Sequence, residues 1–388
     1  MRPLTGITVV TLEHAIAAPY CTRQLADLGA RVIKIERPGV GDFARAYDDR
    51  TRGLASHFVW TNRSKESLTL DLKHPEAAAI LADLVGRADV VVQNLAPGAA
   101  ARLGLSEAKL RPAHPRLILC DISGYGGDGP YRDRKAYDLL IQSEAGFLSV
   151  TGTPEQGVKA GISIADIAAG MYAFSAILAA LLDRNATGLG QHLDISMLEA
   201  MAEWMGFPMY YAIDGQTPPQ RAGAAHATIF PYGPFTAGCG RAVMFGLQNE
   251  REWASFCDKV LGHAALATDP RFDANVKRAA NRAVLTEIIH AGFAELSAEA
   301  VVARLDAAGI GNARVRDMAE LWDHPQLAAR KRWLEVDSPA GPLPALRPPT
   351  GGDRMEAIPA LGEHTDAILA ELGRSPEQIA ALRACGAV

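Results

Sequence analysis

Along the first half of the chain the apolar positions follow two rhythms. Short apolar runs at residues 7–12, 31–35, 68–72, 89–92 and 117–121 have the length and β-branched content of buried strands. Between them, 19–28 (ending at Gly29) and 75–87 (with Pro75 in its first turn) read as helices. Strand–helix alternation of this kind predicts a parallel sheet covered by helices. A long apolar helix is expected over 164–183, then the turn Thr187-Gly-Leu-Gly190 and a strand at 192–195. Past residue 215 the texture changes. Residues 215–226 are rich in Gly, Pro, Gln and Ala, as in a linker. A strand at 242–247 and helices at 250–260, 282–296 and 298–308 then predict a smaller α+β domain. Residues 337–358, rich in Pro and Gly, read as extended surface chain, and two short helices follow at 363–372 and 376–383.

The length of 388 residues exceeds one ordinary domain, so two domains, or one with a large insertion, are expected. A net charge of −5 lacks the electrostatic footprint of a nucleic-acid binder. Cys21, Cys120, Cys239, Cys257 and Cys385 are scattered without a C-x-x-C pair, which argues against a zinc site or a disulfide scaffold and for free thiols in a reducing cytosol. The N-terminus has no signal-peptide pattern, and the apolar stretch at 164–182 carries Asp166 and several small residues. A cytoplasmic protein without a membrane span is the expectation.

Gly124-Tyr-Gly126-Gly-Asp-Gly129 matches G-x-G-x-x-G, but a polar loop follows it where the dinucleotide fingerprint needs a helix. Gly161-Ile-Ser163-Ile-Ala165 falls short of a nucleophile elbow. Ser163, with an acid three residues on, reads instead as a helix N-cap, and Asp166 alone would be a first-turn acid favoured by the helix dipole. No metal-ligand spacing occurs. Three segments change the weight given to Asp166: Lys34-Ile-Glu-Arg37-Pro-Gly, Asn62-Arg63-Ser-Lys65 and Gln93-Asn94-Leu-Ala-Pro97-Gly98. Each lies where a strand begins or ends; open α/β sheets bind ligands at strand carboxyl ends, so the first and third flank an anionic ligand, and the three together favour one with phosphates.

With Lys135-Ala-Tyr137-Asp138 and Asp166, the segments beginning at Lys34 and Val92 make the chain resemble the class III CoA-transferase family. Its members include formyl-CoA:oxalate, carnitine and bile-acid CoA-transferases and α-methylacyl-CoA racemases. The likeness continues through Thr187-Gly-Leu-Gly-Gln191, His226-Ala-Thr-Ile-Phe-Pro-Tyr-Gly-Pro-Phe235, Asp323-His-Pro-Gln326 and Leu361-Gly-Glu-His-Thr365, covering nearly the whole chain. The resemblance implies a Rossmann-like large domain with its N-terminal part at 1–215, a small domain at 226–325, and a return to the large domain at 326–388. It also implies an interlocked homodimer. CoA contacts would come from Ala15, Arg37, Leu70, Asn94, Arg102, Lys135 and Tyr137. Of these, Arg37, Arg102 and Lys135 suit phosphates, Asn94 offers an amide to adenine or pantetheine, and Leu70 offers an apolar wall. The sequence departs from the formyl-CoA pattern at Arg221-Ala-Gly-Ala-Ala-His226, where a run of glycines is missing. That shifts the expected acids from oxalate and formate to mid-length dicarboxylates.

The resemblance makes Asp166 the nucleophile of a transferase that moves CoA from an acyl-CoA such as succinyl-CoA to a free carboxylic acid. Coenzyme A is then a substrate, and neither a resident cofactor nor a metal is expected. Backbone N–H groups near Gly146 or at the start of the Asp166 helix are candidate oxyanion donors. Two other readings stand beside this one. A racemase on the same fold needs a base beside Asp138, where Tyr137 stands, and tyrosine titrates near about 10. A catalytically silent CoA-binding protein is the other.

Overall fold

The computed structural model describes residues 2–350 and 355–388. The chain forms two compact units. The first comprises Met1–Ala145, Ala160–Gly206 and Gln326–Val388, and the second Gly146–Lys159 and Phe207–Pro325. The second unit therefore includes a short piece, 146–159, taken from within the stretch that the sequence assigns to the large domain.

Six strands build the sheet of the first unit: β1 (Thr8–Leu12), β2 (Arg31–Glu36), β3 (Lys65–Thr69), β4 (Val90–Gln93), β5 (Ile118–Ser123) and β6 (His192–Ser196). They run in the order β3-β2-β1-β4-β5-β6, all parallel. The order reverses between β1 and β4, and a crevice opens at such a point beyond the strand ends. Helices α1 (Ala17–Asp27), α2 (Ser56–Asn62), α3 (Ala77–Gly86), α4 (Asp138–Glu144) and α5 (Ile164–Thr187) surround this sheet. One core joins Val10, Ile33, Leu68 and Val91 to Ile80 and Leu84 of α3 and to Ile368, Leu369 and Ile379 near the C-terminus. The C-terminal segment thus completes the first unit. The apolar length of α5 is used in packing: Ala168, Ala169, Ala173 and Ile177 are buried. A side chain at Gly170 would meet the Ala17 carbonyl at 2.7 Å, so only glycine lets α5 lie this close to α1.

Strand β3 begins three residues before the apolar run at 68–72, because its first half is polar and buried. Lys65 and Ser67 face a cluster of charges rather than solvent. Lys65 Nζ donates to Glu13 Oε1 (2.6 Å), to the Pro19 carbonyl (3.0 Å) and to Asn62 Oδ1 (3.1 Å). Lys34 Nζ donates to Asp42 Oδ2 (2.7 Å) and Asn62 Oδ1 (3.1 Å) and lies 3.5 Å from Glu13 Oε1. Thr11 and Thr22 hydroxyls donate to Glu13 Oε2. Two carboxylates thus face two ammonium groups in a fully buried set, and nearly every polar atom has a partner, which is the condition for such a set to be tolerated. Burial penalises the Glu13 carboxylate, but Lys65 and Lys34 outweigh it and hold its pKa below the ordinary range. Burial wins at Lys65, pulling its ammonium down to about 8.

This corrects the reading of the basic segments as phosphate ligands. Lys34 and Lys65 belong to the buried cluster, Arg63 is paired with Asp27 (2.7 and 3.0 Å), and Asn62 bridges the two lysines. The 337–358 stretch is also less superficial than expected. Strands β10 (Trp333–Val336) and β11 (Leu343–Leu346) pair antiparallel, and Val336, Leu343, Met355 and Ile358 bury against Ala55 and Phe58; residues 351–354 lie outside the described residues.

In the second unit, β7 (Tyr232–Thr236), β8 (Ala242–Gly246) and β9 (Asn312–Arg314) form an antiparallel sheet. It packs an aromatic core of Phe235, Phe245, Phe256, Phe293 and Trp253.

Glu13→Gln leaves the buried Lys65 ammonium without a carboxylate partner, while Lys34 keeps Asp42. It should lower unfolding stability by about 3–5 kcal/mol, read from the midpoint of urea denaturation at pH 7. An unchanged midpoint would mean that the cluster is solvated or neutral.

Candidate active site

The expected site residues follow β1 (Ala15), β2 (Arg37), β3 (Leu70) and β4 (Asn94, Arg102) or stand at the heads of α4 and α5 (Lys135, Tyr137, Asp166). Asp42 organises the first part. Beyond its bond to Lys34, its Oδ1 accepts from the N–H groups of Ala15 (3.1 Å) and Ala44 (2.9 Å). Burial disfavours the Asp42 carboxylate, yet Lys34 and the hydrogen bonds drive its pKa well below the usual range. Ala15 has φ +61°, a left-handed conformation rare for alanine, and its N–H bond to Asp42 holds it there. The buried cluster therefore sets the backbone of the β1 exit loop.

Asn94 fixes the same loop from the other side. Its Oδ1 accepts from the His14 N–H and its Nδ2 donates to the His14 carbonyl, both at 2.9 Å. The amide that sequence reasoning offered to CoA is thus spent on the backbone, stitching the ends of β1 and β4 together at the switch point. Leu70 is also corrected. It is 1% exposed within the sheet core, so its side chain forms no open wall. Arg37, Arg102, Lys135 and Tyr137 are exposed.

Asp166 lies on the first turn of α5, half-buried. The helix is capped from a distance. Ser163 makes no side-chain cap; instead Asp138 Oδ1 accepts from Ala165 N–H (2.8 Å) and Asp166 N–H (3.4 Å). Asp138 Oδ2 accepts from Gln142 Nε2 (2.6 Å), and Gln142 Oε1 accepts from Ala160 N–H (2.9 Å). The first-turn amides of α5 are occupied, so they are not open oxyanion donors. Burial, and then the neighbouring Asp138 charge, raise the Asp166 pKa from 3.8 to about 7. A carboxyl so displaced and partly exposed is a candidate for a functional group.

Sequence reasoning missed Tyr47. It follows the short turn of 3₁₀ helix Phe43–Ala46 that Asp42 caps, and a row of rings runs through it. His14 stacks on Phe43 (5.2 Å), Phe43 tilts against Tyr47 (5.7 Å), and His57 meets Tyr47 edge-on (5.3 Å). Burial and the charges of Asp42, Asp166 and Tyr137 raise the Tyr47 phenol to about 12, so it stays protonated within the field of Asp166. The available signal was an aromatic at i and i+4 directly after Gly41-Asp42. Two amides of the glycine loop at 124–129 are engaged within the protein: Gly126 N–H donates to Ser123 Oγ and Gly127 N–H to Asp194 Oδ2. His226, in the second unit, is engaged by the Thr228 and Ile229 amides at Nδ1 and stacks on Tyr232.

Comparison with known proteins gives the family of the chain. Residues 4–365 match the model of CoA-transferase family III, and the chain belongs to that family. It is 35% identical to a succinate–glutarate CoA-transferase of Agrobacterium fabrum, over 95% of this chain and 96% of the relative. It is 34% identical to an acetyl-CoA:oxalate CoA-transferase of Acetobacter aceti, over 88% of each. The crystal structure of a CAIB/BAIF family protein from Brucella suis superposes with a TM-score of 0.83 at 34% identity, covering 96% of this chain and 99% of that one. The protein is an enzyme of this class, transferring CoA between acyl-CoA thioesters and carboxylic acids.

The raised pKa of Asp166 has a consequence for stability. Its folded value lies above the unfolded one, so the native state holds an extra proton between about pH 4 and 7, and stability falls as pH rises through that window. Asp166→Asn removes the loss. The variant should match the wild type in melting temperature at pH 3.5 and exceed it at pH 8. A gap independent of pH would show that Asp166 titrates normally.

Proposed function

We propose that the enzyme moves CoA from succinyl-CoA, or a similar donor, to a dicarboxylic acid through covalent intermediates on Asp166. The observation that carries this reading is a half-buried carboxyl, lifted toward neutrality, at the head of α5 in a chain of this family. The Asp166 carboxylate attacks the thioester carbonyl and expels CoA thiolate, leaving a mixed anhydride. The thiolate attacks the aspartyl carbonyl and releases the donor acid, giving an aspartyl-CoA thioester. The acceptor carboxylate then expels the thiolate from Asp166, forming a second anhydride. Attack of the thiolate on the acceptor carbonyl regenerates Asp166 and yields the new acyl-CoA. Each step retains the activation of the thioester, so the cycle needs no resident cofactor. A basic, poorly solvated carboxylate is the stronger nucleophile for the first step.

Arg37, Arg102 and Lys135 hold CoA phosphates, Tyr137 lies against the thioester end, and Ala15 presents the loop that the buried cluster shapes. The dicarboxylate preference draws support from the succinate–glutarate relative; the oxalate relative marks the short-acid alternative. The active enzyme is an interlocked homodimer, its large domain drawn from both ends of the chain. Its five free thiols fit a reducing cytoplasm.

Asp166→Ala should reduce CoA transfer from succinyl-CoA to glutarate by about 10⁴-fold while CoA affinity persists. Wild-type turnover should climb with pH through about 7 as Asp166 ionises. Substantial transfer by the variant would remove Asp166 from the chemistry. In deuterium oxide, 2-methylacyl-CoA should keep its α-hydrogen; rapid exchange without transfer to any acid would make the enzyme a racemase. Light scattering should show twice the chain mass, and a monomer persisting at micromolar concentration would exclude the interlocked dimer.

A further inference from the structure

Strand β6 forms one edge of the six-stranded sheet, and its first residue, His192, stands among three carboxylates. Its Nε2 lies 2.8 Å from Asp121 Oδ2 on β5, and its Nδ1 lies 3.3 Å from Glu107 Oε2 at the start of the short helix Glu107–Leu110. Asp194, further along β6, adds a third negative charge and accepts from the Gly127 N–H. Arg111 reaches the other Glu107 oxygen at 3.3 Å, and Asp183 of α5 is taken by Gln191 Nε2. A neutral imidazole carries one N–H and serves one carboxylate; the protonated ring serves two. The Asp121 hydrogen bond, opposed by burial and helped by the charges of Asp121, Glu107 and Asp194, raises the His192 pKa above the ordinary histidine value.

The two bonded carboxylates hold opposite ends of one stretch of chain. Asp121 Oδ1 accepts from Gln93 Nε2 (2.9 Å), and Gln93 Oε1 accepts from the Leu95 N–H (2.7 Å), where the chain leaves β4. Asn94 lies between these two residues and clamps His14, so the stretch starts at the crevice between β1 and β4. Glu107 stands at its far end. Between the ends, Ala100, Leu103 and Leu105 pack on the sheet core, and Arg102 is exposed.

We propose that the His192 imidazolium is a positioning residue of the transferase, clipping residues 95–107 at both ends and so holding Arg102 where acyl-CoA binds. The inference rests on the assignment of Arg102 to CoA. Loss of the proton leaves two acceptors, Nδ1 and Glu107, facing one another, and that end of the clip opens. The clip is therefore closed below the raised His192 pKa and opens as pH rises through it. Its side chains are partly exposed, so the effect is modest.

Glu107→Gln isolates the proton in the full-length enzyme. Glutamine accepts from Nδ1–H when the ring is charged and donates to Nδ1 when it is neutral, which keeps the clip closed in both states. From about pH 6 to about 8.5, the wild-type KM for succinyl-CoA should rise about threefold relative to that of Glu107→Gln. The kcat profiles, set by Asp166 in both proteins, should coincide. Amide exchange of residues 95–107, read by mass spectrometry, should quicken over the same range in the wild type relative to the variant. His192→Leu should show the raised KM at both ends of the range. Coincident KM and exchange profiles for the wild type and Glu107→Gln would overturn the proposal. A difference in exchange without one in KM would also overturn it, provided that Arg102→Gln itself raises KM. An unaltered KM in Arg102→Gln, beside a difference in exchange, would instead defeat the assignment of Arg102 to CoA.

Discussion

The organisation of the site depends on a neutral cluster of four charges sealed beneath the β1 exit loop. Glu13, Asp42, Lys34 and Lys65 are all buried, so each charge must find its partner inside the protein. Because Lys34 anchors Asp42, and Asp42 in turn binds the amides of Ala15 and Ala44, the solution of that burial problem also fixes the loop and the 3₁₀ turn that bring His14, Phe43 and Tyr47 together. Asn94 closes the arrangement from β4. The left-handed Ala15 is held by these bonds on both sides.

A second constraint acts at Asp166. Asp138 caps α5 with one oxygen, satisfying amides that Ser163 leaves open, and the same charge makes ionisation of Asp166 less favourable. Capping and activation are therefore one interaction seen from two groups. Replacing Asp138 by asparagine keeps an acceptor for the amides and removes the charge, so it separates the two effects: the helix stays capped while the Asp166 pKa falls.

The parallel sheet and the long helix were legible because apolar runs report burial directly. Strand β3 was misplaced for the converse reason: Lys65 and Ser67 read as exposed, and nothing local shows that Glu13 and Glu36 lie opposite them. The same blindness to pairing made Lys34, Arg63 and Asn94 look like free ligand groups. The Asp138 cap, supplied from outside the helix, competes with a local Ser163 signal and was hidden by it. The coarse assignment to CoA transfer, read from the family motifs, agrees with the family match. Tyr47 escaped because an aromatic at i+4 more often fills a core than stands, half-exposed, within the field of an acid such as Asp166.

The central claim is a covalent bond between substrate and Asp166. Incubation with succinyl-CoA followed by hydroxylamine should convert that ester-level intermediate to a stable hydroxamate, which peptide mass spectrometry locates. The account expects modification at Asp166, dependent on succinyl-CoA and absent in Asp166→Asn. An unmodified Asp166 peptide from enzyme that still transfers CoA, or a hydroxamate on another residue, would contradict it.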